Sequence, residues 1–346
     1  MNPYDNLPEK RFWRTGVAAK DPLTIEGLYE KKFSIDAKTK IATAGSCFAQ
    51  HISKCLRRNG YQVLDMEPPP PGLSEQNAQT FGYNIYSARY GNIYTARQLR
   101  QLTQEALGER QPTEVAWQKD QRFYDAFRPG VEPEGLESEQ EVMLHRAHHL
   151  KMVKQLLTTC NLLIFTLGLT ETWQNNQDGS VYPTAPGVIA GKYDPEKYRF
   201  INLSYQDTLD DFSQFYQIVK KINPNCRFLL TVSPVPLTAT ADNQHVLCAT
   251  TYSKSVLRAV AGQLYQDFDD IDYFPSYEII ASSWSRGFFY QSNLRSVSPI
   301  GVETVMRTFE KSHPPIKKTN ASESANHPTS EDDLICEEVL LEAFAK

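Results

Sequence analysis

Apolar residues along the chain fall into short continuous runs and longer stretches in which they recur every three or four positions. Residues 161–167 form the most continuous run, which suits a strand buried on both faces of a parallel sheet. Residues 41–44, 61–65 and 227–233 are predicted as further strands, and 272–278 as the end of the last strand. The helical spacing predicts helices beginning at residue 48 and over 96–107, 139–158, 207–221, 250–267 and 301–310.

Breaks in this pattern divide the chain into segments. Residues 1–38 are predicted to be an N-terminal arm on the main body, and 39–310 form the predicted α/β domain. Residues 109–138 are rich in Pro, Gly and Glu, which predicts an irregular insertion. The polar residues 311–333 predict a disordered linker. Residues 334–346 predict an acidic helix with one apolar side, which docks either on the body or on a protein partner.

Composition narrows the class of protein. With 346 residues, 40% of them apolar, the chain can form one large domain or two ordinary ones with a full core. The formal net charge of −5 argues against a general nucleic-acid binder, because binding phosphates needs clustered Lys and Arg. No apolar run reaches the length of a membrane span, and the polar N-terminus lacks the apolar core of a signal peptide. We therefore expect a cytoplasmic protein.

Cysteine and histidine spacing gives no sign of a metal site. The six cysteines, at positions 47, 55, 160, 226, 248 and 336, form no C-x-x-C pair, which argues against a zinc ribbon. Free thiols in a reducing compartment are the simplest interpretation. His145 and His149 have the spacing of two ligands on a helix, but no third ligand accompanies them. We interpret them as exposed or capping histidines and predict no metal.

The stretch that carries candidate chemistry begins with the strand at 41–44, turns at Gly45 and continues as a helix. This order places Ser46 and Cys47 at the carboxyl end of a strand and at the N-terminus of a helix. Free backbone N–H groups and the helix dipole favour negative charge there. A cysteine in this position is favoured as a thiolate nucleophile.

Residues 45–49 spell Gly-Ser-Cys-Phe-Ala, which resembles the signature of the GSCFA family, a branch of the SGNH/GDSL hydrolases. The resemblance extends over roughly residues 39–306. It implies a three-layer α/β/α sandwich with a central, mostly parallel sheet of the SGNH or flavodoxin-like kind. In register, Ser46 stands at the position of that superfamily's Asp, and Cys47 at the position of its nucleophilic Ser.

The resemblance also implies oxyanion donors. A glycine of the second block donates its backbone N–H in that superfamily, which makes Gly91 a candidate with Asn92 beside it, although Gly91 is equally well explained as a turn glycine. The third block is Gly-x-Asn-Asp, and here Thr170 and Glu171 stand at the last two positions. A Thr hydroxyl can donate one hydrogen bond, so Thr170 joins the Cys47 amide as a predicted donor.

The acid and base of the superfamily are altered in this chain. The Asp-x-x-His pair falls on Asn293 and Ser296, neither of which can act as the acid or base of a triad at neutral pH. His51, one helical turn after Cys47, is the candidate local base. A packed or solvated histidine is the alternative interpretation of His51.

Further predicted substrate-binding residues follow strands or lie in family motifs. Ser233 follows a strand and is alternatively a turn serine. Lys254 is predicted to approach an anionic ligand or a carboxylate, or else to be a surface lysine. Glu278 is predicted to bind a sugar hydroxyl or a histidine, or to support its neighbours. The substrate-binding set is Glu171, Ser233, Lys254, Glu278, Asn293, Arg295 and Ser296.

Three functions follow from these residues. The first is an acyl-transfer enzyme, an ester hydrolase or acyltransferase acting on an acylated carbohydrate or polysaccharide precursor. It would need no cofactor, with acyl-CoA as an alternative donor substrate. The second is a catalytically degenerate member that binds a glycan or another small ligand, which the missing Asp and His favour. The third is an adaptor that binds a protein partner through its C-terminal helix.

Overall fold

The computed structural model describes residues 2–316 and 337–345. Its strands are β1 (Ile41–Gly45), β2 (Ala116–Lys119), β3 (Arg122–Asp125), β4 (Leu162–Leu167), β5 (Glu171–Asn175), β6 (Val181–Tyr182), β7 (Tyr198–Asn202), β8 (Arg227–Val232) and β9 (Ile271–Tyr273). Its α-helices are α1 (Ala49–Arg58), α2 (Glu75–Thr80), α3 (Ala96–Ala106), α4 (Glu139–Thr159), α5 (Tyr205–Ile222), α6 (Val246–Asp267), α7 (Ser276–Ala281) and α8 (Pro299–Ser312).

A parallel sheet of four strands, in the order β1-β4-β8-β9, forms the centre of the fold. Every residue of β1 and β4 is buried, as their continuous apolar runs predict. The strand predicted at 61–65 reduces to a single bridge between Val63 and Ile41. The backbone of residues 61–65 forms hydrogen bonds with β1 at Ile41. The next donor, the Met66 N–H, bonds to the Ser87 carbonyl and not to β1.

Helices cover both faces of this sheet. Neighbouring residues of a strand point to opposite faces, so the sheet buries two apolar clusters. On one face Ala42 and Leu163 belong to a cluster with residues of α3, α4, α5 and α6. On the other face Ile41 and Ile164 belong to a cluster with residues of α1, α7 and α8. The predicted three-layer α/β/α sandwich with a parallel central sheet is confirmed.

Two small antiparallel sheets lie outside the central one. β5 pairs with both β6 and β7, an arrangement that the sequence pattern did not predict. β2 and β3 form a hairpin, so residues 109–138 are more regular than the predicted insertion. Trp117 of the hairpin and Tyr182 of β6 pack with ring centroids 4.9 Å apart. This contact joins the two small sheets.

The ends of the described chain also contact the body. The Tyr29 hydroxyl of the N-terminal arm donates to the Asp272 carboxylate of β9 over 2.9 Å. At the other end, α8 continues to Ser312, and His313 after it is buried. The predicted linker thus starts within a helix.

Residues 317–336, which include most of that linker and the start of the predicted C-terminal helix, lie outside the described residues. Glu337–Phe344 forms a 3-10 helix. Among the helices of residues 2–316 and 337–345, none combines the length and apolarity that crossing a membrane requires.

Candidate functional site

The Gly45 turn (residues 45–47) lies at the carboxyl edge of the sheet, between β1 and α1. Gly45 has a φ of 138°, and a Cβ at this position would lie 2.6 Å from the Thr166 carbonyl oxygen of β4. Only glycine therefore lets the two strands approach this closely while the chain turns. The Ser46 N–H donates to the same Thr166 oxygen over 3.2 Å, which fixes the turn against β4.

The segment that follows β4 packs directly on this turn. A Cβ on Gly168 would lie 2.8 Å from the Cβ of Ser46 and 3.2 Å from the Tyr94 carbonyl oxygen. The N–H groups of Gly168 and Leu169 both donate to that Tyr94 oxygen over 3.0 Å. The structure therefore brings the residues before Thr170 against Ser46.

The segment of Gly91 and Asn92 also reaches the turn. The Ile93 N–H donates to the Gly45 carbonyl over 2.9 Å. The Tyr86 hydroxyl lies 3.0 Å from the Ser46 carbonyl oxygen and 2.7 Å from Oδ1 of Asn92. Three separate parts of the chain thus meet at one edge of the sheet. The role of Gly91, Asn92 and the Cys47 amide as oxyanion donors stays a prediction.

Thr170 and Lys254 are buried beside this junction. The Thr170 hydroxyl donates to Oδ1 of Asn202 over 2.7 Å, so its proton is already used within the protein. The Thr170 N–H donates to the Ser253 hydroxyl over 3.1 Å. Lys254 Nζ donates to the Gly168 carbonyl over 2.7 Å, and only 1% of this residue is exposed. The interpretation of Lys254 as a surface lysine is wrong.

Cys47, just before α1, and His51, in the first turn of α1, are both buried. Cys47 is 5% exposed and belongs to the apolar cluster of α1, α7 and α8. His51 is 4% exposed and lies edge-on to Phe48, with ring centroids 5.3 Å apart. Burial lowers the pKa of His51 to about 4, and the charge of Lys54 acts in the same direction. Ser46, Cys47 and His51 line none of the four pockets described below and in the next sections.

Unpaired polar atoms concentrate around the turn. Oγ of Ser46, Oγ1 of Thr166 and Nε2 of His51 are buried without a hydrogen-bond partner among the described residues. Such atoms are few in folded proteins, because each loses its bonds to water. The Gly45 turn and its neighbours therefore hold unpaired polar atoms inside the otherwise apolar core.

We expect His51 to remain a neutral imidazole at physiological pH. Its pKa of about 4 predicts that its ring proton shifts do not change between pH 8 and pH 5.5, whereas an unperturbed histidine titrates near 6.5. NMR of the ring protons, assigned with His51→Gln, measures this directly. A thiolate–imidazolium pair with Cys47 would instead keep His51 charged and raise its pKa above 6.5.

Asn293 and Ser296 satisfy each other in an exposed turn. Nδ2 of Asn293 donates to Oγ of Ser296 over 2.9 Å. Oδ1 of Asn293 accepts from the backbone N–H groups of Arg295 and Ser296, over 3.0 and 2.9 Å. This is the Asx-turn geometry typical of asparagine. Asn293 and Ser296 thus form a self-contained turn, with partly buried Arg295 between them.

Ser233 and Glu278 do not join the Gly45 turn. Oγ of Ser233 accepts from the Val235 N–H over 3.3 Å, as a turn serine does. The carboxylate of Glu278 forms an ion pair with Arg258 and accepts from the Tyr273 hydroxyl over 2.8 Å. Glu278 lines a separate open pocket at the N-terminal arm.

A compact pocket lies beside Glu171, three residues beyond Gly168. Its cavity volume is about 160 Å3. We call it the Glu171 pocket. Burial raises the pKa of the Glu171 carboxyl above its usual value, although its bond from the Thr240 hydroxyl over 2.8 Å acts the other way. Its walls are formed by Leu169, Glu171, Thr172, Trp173, Pro183, Thr184, Ala185, Val188, Phe200, Leu237, Ala239, Thr240, Ala241 and Leu341.

The sequence profile of the GSCFA family matches residues 40–309. The chain belongs to the GSCFA family. Comparison with curated proteins gave no match. The matched residues include the Gly45 turn, both segments packed on it and the Asn293–Ser296 turn, so the altered positions lie inside the family domain.

The C-terminal helix of this GSCFA protein contacts the Glu171 pocket from outside the family domain. Leu341 lines the pocket, and it also lines a neighbouring open groove together with Phe344. The described part of the helix therefore docks on the body. Whether it also binds a protein partner stays a prediction.

Sequence reasoning found Glu171 but missed the residues that make its pocket. Trp173 and Phe200 lie on β5 and β7, which pair only through a connection of more than twenty residues. Thr184 lies in the loop after β6 and Leu237 in the loop after β8, and these strands belong to different sheets. Only Trp173 is apolar within Glu171–Asn175, so no alternating pattern marks β5 in the sequence.

The interpretation of His149 as an exposed or capping residue is wrong. His149 is 1% exposed, and its Nδ1 lies 2.7 Å from the Glu67 carboxylate. His145 instead lies 3.7 Å from Glu132, so the two histidines face different carboxylates. Within the described residues, no group of three or more His, Cys, Asp or Glu side chains is arranged as a metal site.

Proposed function

We propose that this GSCFA protein binds the acyl part of an acylated ligand in the Glu171 pocket and does not cleave that ligand through Cys47. The observation that carries the proposal is the pocket itself, a cavity of about 160 Å3 next to the segment that follows β4. Ligands of parallel α/β folds bind at the carboxyl ends of the strands. The likeness to acyl-transfer enzymes supports an acyl group as the occupant.

The size and walls of the pocket fit a short acyl chain or a benzoyl ring. Trp173, Phe200 and Leu237 supply apolar wall. A cavity of about 150 Å3 in another protein is known to take benzene, which sets the scale for a volume of about 160 Å3. Burying an acyl chain of about four carbons here is favourable by roughly 0.8 kcal/mol per CH₂ group.

Two polar groups favour a neutral carbonyl over a free carboxylate. Oγ1 of Thr184 is buried without a partner among the described residues, and the residue is 8% exposed. Its hydroxyl can donate to a carbonyl oxygen of the ligand. The raised pKa of Glu171 favours its protonated form, and its charged form repels an anion. We therefore expect amides and esters to bind better than free acids.

The burial of Cys47, which is 5% exposed, argues against cleavage through its thiol. The thiol lies in an apolar cluster, and Asn293 and Ser296 bond to each other rather than to the turn. One observation favours a hydrolase as the second candidate function. His51 Nε2 and Ser46 Oγ are both unpaired among the described residues, so a rearranged turn would have polar groups to offer.

Binding is tested with butyramide and its charged analogue butyrate. We expect saturation-transfer NMR at pH 7 to show butyramide binding and at least tenfold weaker butyrate binding. Thr184→Val should weaken butyramide about 5- to 10-fold, the value of one hydrogen bond. Ala239→Trp should abolish binding, because it fills the pocket. Thr238→Val is the matched control, since the Thr238 hydroxyl is also buried and unpaired among the described residues but does not line the pocket.

Three results would contradict the proposal. If Thr184→Val and Thr238→Val change butyramide affinity equally, or Ala239→Trp leaves it intact, the pocket is not the site. Turnover is measured with p-nitrophenyl butyrate, which we expect the wild type and Cys47→Ala to hydrolyse at the same background rate. A loss of more than tenfold in Cys47→Ala would establish the acyl-transfer enzyme instead.

A further inference from the structure

A second concave surface lies between the N-terminal arm and the loop after α7. Its volume is about 760 Å3, and it shares no residue with the Glu171 pocket. We call it the aromatic groove. One wall comes from the arm and the other from the loop: Trp13, Val17, Ala18, Lys20 and Pro22, with Ser283, Trp284, Ser285, Arg286, Gly287 and Phe288.

Large aromatic side chains face solvent in this groove. Trp13 is 67% exposed and Phe288 is 55% exposed. Exposing such surfaces is unfavourable in water, so three aromatic residues in one concave site indicate a ligand. Trp284 and Phe288 both pack on buried Phe289, at ring-centroid distances of 6.4 and 5.7 Å. The loop wall is thus rigidly supported.

The loop wall is also attached to the carboxyl edge of the central sheet. Phe289 belongs to the same apolar cluster as Cys47. The Tyr290 hydroxyl donates over 2.7 Å to the carbonyl of Pro234, which lies two residues after β8. The groove therefore opens near the edge where ligands of this fold class bind.

The charges that line the groove are positive. Lys20 and Arg286 are its charged residues, and no Asp or Glu lines it, although the whole chain has a net charge of −5. The exposed Glu9 carboxylate, outside the lining, lies 3.9 Å from Lys20 Nζ, so Arg286 is the cation better placed for a ligand. Arg286 has a φ of 50° and is exposed. Its guanidinium makes no hydrogen bond or ion pair with the described part of the chain. A guanidinium without a partner is suited to bind a carboxylate.

We propose that the aromatic groove binds an acidic oligosaccharide. Sugar rings have flat apolar faces that pack on Trp13, Trp284 and Phe288, and their carboxylates pair with Arg286 and Lys20. The volume lies within the range of about 300–1,000 Å3 that ligand sites have. A concave surface suits a saccharide better than a membrane, which needs protruding apolar residues. Two cations are too few to follow the phosphates of a nucleic acid.

Calorimetry with tetragalacturonate and neutral maltotetraose tests this site on the full-length chain at 50 mM NaCl. We expect tetragalacturonate to bind at least tenfold more tightly than maltotetraose, and its affinity to fall as salt is raised. Arg286→Asn keeps a residue that tolerates positive φ and should lower the affinity at least fivefold. Trp13→Ala, at an exposed position, should do the same without changing the melting temperature. Lys151→Asn on the exposed side of α4 is the control and should have no effect.

The proposal is overturned if both tetrasaccharides bind alike, or if Arg286→Asn behaves like Lys151→Asn. It is equally overturned if phosphatidylglycerol vesicles or oligo-dT bind the wild type more tightly than tetragalacturonate does and lose that binding in Trp13→Ala. Butyramide binding to Trp13→Ala separates the two sites. Unchanged butyramide affinity with lost tetragalacturonate affinity assigns the saccharide to the aromatic groove alone.

Discussion

Replacing Arg146 by methionine is expected to lower the free energy of unfolding by about 3–5 kcal/mol at pH 7. Arg146 is 3% exposed, and its guanidinium donates to the Glu105 carboxylate over 2.6 Å and to the Asp125 carboxylate over 3.1 Å. Methionine has a similar size but leaves Glu105 as a buried carboxylate without its cation. Asp125 keeps a second partner, Arg128, at 2.7 Å. Urea unfolding with an unchanged m-value measures the loss.

The pH dependence distinguishes this cause from poor packing. Burial already raises the pKa of Glu105, with Arg146 acting against it, so removing Arg146 raises this pKa further. An acid with a raised folded-state pKa destabilises the fold above that pKa. The deficit of Arg146→Met should therefore shrink as pH falls toward the unfolded value of about 4.5. A deficit independent of pH would mean that lost packing, not charge, is responsible.

Two further variants complete the test. Glu105→Leu in the Arg146→Met background removes the unpaired carboxylate and should restore at least half of the lost stability. Lys151→Met replaces an exposed cation of the same helix and should change stability by less than about 0.5 kcal/mol. If the double variant is as unstable as Arg146→Met alone, the ion pair with Glu105 is not the source of the effect.

The central elements were predictable because their information is local. The runs at 41–44, 161–167 and 227–233 correspond to β1, β4 and β8 with ends shifted by one residue. Both faces of these strands are buried, so every position had to be apolar or small. The helices were found in the same way, since each presents one apolar stripe to the sheet.

Elements that depend on distant pairing were not predictable from such patterns. β5 and β7 pair Glu171 with Asn202, which lie far apart in sequence and have no shared periodicity. Buried charges pose the same difficulty. Lys254 and His149 look like surface residues, and only their partners, the Gly168 carbonyl and the Glu67 carboxylate, explain their burial.

The sequence predicted where the candidate site lies, but not whether solvent can reach it. The motif at residues 45–49 located the Gly45 turn, because a strand, a glycine and a helix follow one another there. Whether Cys47 faces solvent depends on tertiary packing, since it belongs to one apolar cluster with side chains of α7, α8 and the loop before α8. No local pattern reports that packing. The Glu171 pocket likewise needs residues from five separate segments.

Gly45→Ala is expected to destabilise the fold by about 2–5 kcal/mol, the sum of a strained backbone and a clash. Its φ of 138° is rare for any residue with a side chain. The new Cβ would lie 2.6 Å from O, 2.7 Å from N and 2.8 Å from Cβ of Thr166, atoms of a buried central strand. Because β4 is paired on both sides, it cannot move away without breaking contacts with β8.

Gly72→Ala separates strain from clash. Gly72 has a φ of 89°, and a Cβ there meets nothing within 4 Å, so its substitution costs only the conformational part, about 1–2 kcal/mol. Thermal and urea unfolding of both variants should show Gly45→Ala to be less stable by about 1–3 kcal/mol. Equal losses would mean that β1 and β4 can separate at the turn. The close approach of Ser46 to Gly168 would then be adjustable, and Cys47 could become accessible through a small opening of this edge.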